Sequence, residues 1–180
     1  MGLAALALNR LDPSSLDWQP ALAAHEPWRA WSAVFVHYSG LHLAANLAGA
    51  VLVGALGAVA RVPSRSVAAW LVAWPLTQAG LALQPALQHY GGLSGVLHAG
   101  VAVVVVHLLC DGNARQRRIA IAMAAGLALK VAGESPWGAP LRHPPGWDIA
   151  VAPLAHASGA LAGALCAGLA EALQRRSRLR

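Results

Sequence analysis

The sequence predicts an all-α membrane protein, and three observations predict it. Only 11% of the 180 residues are charged while 57% are hydrophobic. Five long apolar stretches follow one another along the chain, and arginines gather in short clusters between them. A soluble domain carries roughly a quarter charged residues, so much of this surface faces something other than water. The net charge of +6 lies in clusters flanking apolar runs, the pattern of membrane topology; no nucleic-acid partner is expected. Cys110 and Cys166 sit in apolar stretches without CxxC spacing and read as small buried hydrophobes.

One membrane domain is expected over residues 1–180. Met1–Leu8 is apolar, but eight helical residues reach only about 12 Å, against a hydrocarbon core of about 30 Å. It lacks the basic start of a signal peptide and reads as the tail end of a shortened first helix. Residues 9–38 are polar and aromatic, with Trp18, Trp28, Trp31 and Tyr38. They fit either an amphipathic segment at the headgroup level or an ordinary extracytoplasmic loop. A span needs about 20 mostly apolar residues, and five stretches come close: residues 41–60, 67–83, 94–110, 119–133 and 149–173. The fourth is short and ends on Lys130 and Glu134, charges suited to snorkelling or pairing at an interface.

Arginine positions give the orientation. Arg61, Arg65, Arg115, Arg117, Arg118, Arg175, Arg176, Arg178 and Arg180 fall on one side, and Arg10, Arg29 and Arg142 on the other. The positive-inside rule makes the first side cytoplasmic. The stretches opening at Leu41, Ser94 and Ile149 therefore begin at the outer face and run inward, and the C-terminus is cytoplasmic. Ala and Arg richness points to a bacterial source, hence a multi-pass protein of the inner membrane.

Polar groups inside a bilayer are costly and mark functional sites. Here they are His42 and Asn46 in the first full span, Ser94 and His98 in the third, and His156 in the last. Each of the two pairs is four residues apart, hence on one helix face. The arginine-derived orientation puts all five at one depth, near the outer ends of three helices. Such a set suits peptide hydrolysis. A serine hydroxyl needs a neighbouring base, and histidine serves near neutral pH. Ser94 lies in Gly91-Gly92-Leu93-Ser94-Gly95 at a helix start, where free N–H groups favour a developing anion. His42 and Asn46 can add donors to the same oxyanion hole. Asp148 is eight residues before His156, about two turns away if helical, so a Ser94–His156 dyad without an acidic partner is expected. Taken singly these signals are common ones. The Gly159-x-x-x-Gly163 spacing reads first as close helix packing, which would bring the His156 helix against the Ser94 helix.

Together the residues resemble the rhomboid superfamily. Trp28-Arg29, His37, His42-x-x-x-Asn46, Gly92-Leu93-Ser94-Gly95 and Ala155-His156-x-x-Gly159-x-x-x-Gly163 follow its order and spacing over most of the chain. The resemblance implies a six-helix transmembrane bundle, a Ser94–His156 intramembrane serine protease, and an oxyanion hole formed by His42, Asn46 and the Ser94 N–H. It implies no cofactor and no metal. Trp28 and Arg29 match a structural element of the first outer loop. Many rhomboids carry a tyrosine four residues after the serine, stacked on the catalytic histidine; here that position is His98. Gly92-Leu93-Ser94-Gly95-Val96-Leu97-His98 resembles the rhombosortase branch, and Lys130 with Glu134 fits the same pattern loosely. That branch implies a single-spanning membrane protein substrate with a C-terminal Gly-Gly-type sorting tail, cut within the lipid bilayer. His98 is expected either to stack on His156, to hydrogen-bond it, or simply to pack. Three other readings are open: a non-catalytic rhomboid-like helix-binding protein, a metal enzyme built on His42, His98 and His156, and a small transporter, for which no inverted repeat is visible.

Overall fold

A computed structural model describes residues 12–178. The shortened first helix expected at Met1–Leu8 lies outside the described residues. Five long helices follow: α1 (Gly40–Ala60), α2 (Ser64–Ala79, extended by a 3-10 turn Gly80–Leu83), α3 (Ser94–Asp111), α4 (Ala114–Gly133) and α5 (Pro153–Arg178). No strand occurs among the described residues. Gly40–Ala60, Ser64–Leu83, Ser94–Asp111 and Pro153–Arg178 are each long and apolar enough to cross a membrane. α4 has 20 residues, about 30 Å of helix, but Arg115, Arg117, Arg118 and Lys130 make it less apolar.

Local chemistry sets the boundaries. Ser39 caps α1 by accepting from the His42 N–H at 3.0 Å. Arg61 ends it in the left-handed region at φ 53°, and Pro63 precedes α2. Asn113 and Gln116 form a capping box at the head of α4. That box starts the helix five residues before the expected 119, because a run of apolar residues marks where a helix enters lipid, not where its hydrogen bonds begin. The last helix runs Pro153–Arg178 rather than 149–173. Val151 is instead paired with Arg142 in an isolated antiparallel bridge, so residues 149–152 stay outside the helix.

α3 is the centre of the bundle, with α1, α2, α4 and α5 packed around it. Its tightest neighbour is α5. A Cβ on Gly159 would collide with the Gly95 carbonyl oxygen, and one on Gly163 with that of Ala99. Backbone therefore lies on backbone, the contact that small residues permit between membrane helices. Val51, Leu52, Val59, Val72, Leu129, Leu161, Leu165 and Leu169 project outward, an apolar belt for lipid. At the arginine-rich end, Arg65 of α2 pairs with Asp111 of α3 and Glu171 of α5. α4 is the least embedded helix: Ala120 is its one fully buried residue.

Residues 12–38 are neither a simple loop nor a surface helix. They fold into short turns around a buried Asp17 and Arg29. Arg29 donates to the carbonyls of Ser14 and Asp17, each at 2.9 Å, and pairs with Glu26. Asp17 also accepts from Tyr38 Oη at 3.0 Å and pairs with His89 Nδ1 at 2.8 Å. Trp18, only 3% exposed, bridges Tyr90 through two backbone hydrogen bonds of 2.7 and 2.8 Å. The segment thus grips the chain immediately before Ser94.

Candidate active site

Ser94 is the first residue of α3. Its approach is fixed on two sides. The Gly92 N–H donates to the Ala33 carbonyl at 2.9 Å, and Gly92 itself adopts φ +118°, a conformation that favours glycine. A Cβ there would also lie 2.5 Å from His42 Nε2. Gly95 is forced small as well, since a Cβ would meet the Ala155 carbonyl and Thr77 Cγ2 at 2.8 Å each.

The α3–α5 contact carries His156 to the serine. His156 Nε2 lies 2.9 Å from Ser94 Oγ, and the imidazole is only 5% exposed. The first hydrogen bond of the α3 ladder runs from Leu97 N–H to Leu93 at 3.0 Å. The N–H groups of Ser94, Gly95 and Val96 are left outside that ladder, at the positive end of the helix dipole. From α1, buried His42 and Asn46 face the same turn: Asn46 Nδ2 donates to the His42 carbonyl at 3.1 Å and retains a second hydrogen. His37 holds His42 edge-on, ring centroids 4.8 Å apart. All the expected site residues, Ser94, His156, His42, Asn46, Gly92, Gly95 and His98, thus meet at one end of the bundle.

His98 stacks on His156, with centroids 4.2 Å apart and planes 14° from parallel. Its Nδ1 donates to the Ser94 carbonyl at 2.7 Å, not to His156. Of the expected alternatives, stacking is the one realised.

The expectation of a dyad without an acidic partner is corrected by Glu134, the residue capping α4. Glu134 Oε2 is 2.7 Å from His156 Nδ1, and its other oxygen pairs with Lys130 Nζ at 3.0 Å. Asp148 is engaged elsewhere, accepting from Ser39 Oγ at 2.8 Å. In the sequence Lys130 and Glu134 show only an ion-pair spacing at the end of the fourth apolar stretch, and nothing there ties Glu134 to His156. Among the described residues the group whose ligand atoms lie together is His107, Asp111 and Glu171; His42, His98 and His156 do not form one.

A cavity of about 980 Å³ opens over the serine. Its walls include His42, Asn46 and Gly49 of α1, Leu97, His98 and Val101 of α3, Met123, Leu127 and Lys130 of α4, and Trp147 and Ile149 of the loop before α5. The space is mostly apolar with a few convergent polar groups, the usual composition of a substrate site.

No curated protein matches this chain. The family model described as Rhomboid domain, however, matches residues 24–171. That range takes in the α3–α5 crossing and every site residue above. The chain belongs to the rhomboid family of intramembrane serine proteases.

Proposed function

We propose that this protein hydrolyses a peptide bond near the outer end of a substrate transmembrane helix, with Ser94 as nucleophile and His156 as general base. The 2.9 Å approach of His156 Nε2 to Ser94 Oγ, at the floor of a largely apolar cavity, carries the reading. In the reaction His156 takes the hydroxyl proton as Oγ bonds to the scissile carbonyl carbon. The carbonyl oxygen becomes an oxyanion beside the N–H groups at the head of α3, with His42 and Asn46 as side-chain donors. The imidazolium then passes its proton to the leaving amine as the C–N bond breaks. Water, activated by the same base, releases the acyl group and returns the proton to Ser94.

The finer assignment is to the rhombosortase branch, supported by the histidine stacked where many rhomboids have tyrosine. The substrate is then a single-spanning protein with a C-terminal Gly-Gly-type sorting tail, and the site faces the periplasmic side of a bacterial inner membrane. The arginines at the opposite end of the bundle support that orientation.

The test is co-expression with a reporter ending in such a tail. Wild type cleaves it, and Ser94→Ala and His156→Ala do not. Ser94-dependent cleavage of a generic rhomboid substrate but not of the tail would keep the protease and remove the subfamily. Cleavage by Ser94→Ala at the wild-type rate would overturn the mechanism and favour the non-catalytic helix-binding reading.

A further inference from the structure

Two groups compete for one atom of the proposed base. Nδ1 of a neutral imidazole either carries a hydrogen or presents a lone pair, never both. Glu134 Oε2, at 2.7 Å, requires the hydrogen on Nδ1. Lys130 Nζ, at 2.9 Å, is a donor and requires the lone pair. The choice decides the chemistry 2.9 Å from Ser94 Oγ. With Nδ1–H given to Glu134, Nε2 offers a lone pair to the serine hydroxyl and can take its proton. With Lys130 donating, the hydrogen sits on Nε2 and points at the serine, and the ring is not a base.

We propose that Glu134 is the positioning residue that fixes the base-competent tautomer of His156, and that its ion pair with Lys130 keeps the ammonium from imposing the other. The inference rests on the serine-protease reading and adds an acidic partner to it. The two carboxylate oxygens divide the work, Oε2 accepting from His156 while Oε1 holds Lys130 at 3.0 Å. The two residues are four apart at the end of α4, on adjacent turns of one face, so the pair forms within that helix before α5 is considered. The titratable groups facing His156 are Lys130 and Glu134 from α4 and stacked His98 from α3; where α2 meets α5, two residues on, Ser158 Oγ donates to the Thr77 carbonyl, and neither group titrates. Ser94, His156 and Glu134 come from three different elements, so the relay is complete only while the end of α4 is seated against α5.

Removing Glu134 alone does more than delete a hydrogen bond, because Lys130 is then free to lock the wrong tautomer. That gives the idea a sharp test. The full-length protein in lipid vesicles is treated with a fluorophosphonate probe, and the labelling rate is followed against pH. Glu134→Ala is expected to lose about 10²-fold or more, towards the roughly 10⁴-fold known when the orienting carboxylate of a serine protease becomes an amide. Glu134→Ala combined with Lys130→Met regains at least about tenfold over Glu134→Ala, because the competing donor is gone. The acid limb of the profile moves in opposite directions in the single variants. It shifts to lower pH in Glu134→Gln, where the imidazolium loses its counter-charge, and to higher pH in Lys130→Met, where a like charge is removed. The midpoint does not depend on the folded fraction, so it decides even where a variant folds poorly. Wild-type labelling with an unmoved midpoint in Glu134→Gln overturns the inference, as does a double variant no faster than folded Glu134→Ala. Labelling of Ser94→Ala would instead overturn the serine-protease reading itself.

Discussion

Gly92 serves the site through the atom it lacks. At φ +118°, with His42 Nε2 2.5 Å from where a Cβ would stand, alanine both strains the turn and displaces His42, the proposed oxyanion donor. Gly92→Ala is expected to lower kcat by about 10²-fold, the usual effect of losing one such donor, while the thermal transition in detergent stays within a few degrees. His98 separates stacking from hydrogen bonding. Since its Nδ1 is committed to the Ser94 carbonyl, His98→Phe keeps the stack and stays within about threefold of wild type, whereas His98→Ala loses roughly tenfold, about the worth of an aromatic pair. Activity assays on matched amounts of folded protein check both. Ser94, His156, His42 and Asn46 were legible in the sequence because a polar group in an apolar helix has to be justified. Glu134 was not, because a charge at a helix end beside a lysine needs no such justification, and its partner lies 22 residues further along the chain.

At the scale of elements, the α3–α5 crossing depends on glycine. Gly159→Leu would drive the side chain into the Gly95 carbonyl and part the two helices. A misplacement of about 1 Å costs on the order of 10²-fold, so cleavage is expected to fall at least that far, with a lower unfolding temperature. Gly54→Ala, where a Cβ meets nothing within 4 Å, is the control and is expected to be neutral or slightly stabilising. The five long helices were legible as apolar runs, four of them long and apolar enough to cross a membrane, and Gly159 and Gly163 as a packing face. Their ends were less so. Asn113 starts α4 through side-chain bonds that hydropathy does not register, and residues 149–152 are apolar yet outside the helix. The turns of residues 12–38 were not legible, since the bonds that organise them run from Arg29 back to Ser14 and from Asp17 forward to His89.

For the whole molecule, the placement of charge and chemistry at opposite ends makes topology testable. A reporter enzyme fused after Arg180 is expected to be active only in its cytoplasmic form, and a periplasmic-active fusion would invert the orientation argued from the arginines. α3 and α5 are joined by backbone contact near the site and α2 by the Ser158 bond to the Thr77 carbonyl, and all three are tied again at the far end by Arg65 with Asp111 and Glu171. α1 and α4, by contrast, stand at the flanks of the cavity. The crossing at Gly95 and Gly159 has one further consequence. The proposed nucleophile and base are registered to each other by two main chains with nothing interposed, so the spacing of Ser94 and His156 is a property of peptide geometry more than of any neighbouring side chain's size. Chance substitution at the crossing can only add bulk, and every addition errs in the same direction. Sequence drift can therefore widen that gap but never tune it, and what adaptability the enzyme has must be sought in the walls of the cavity.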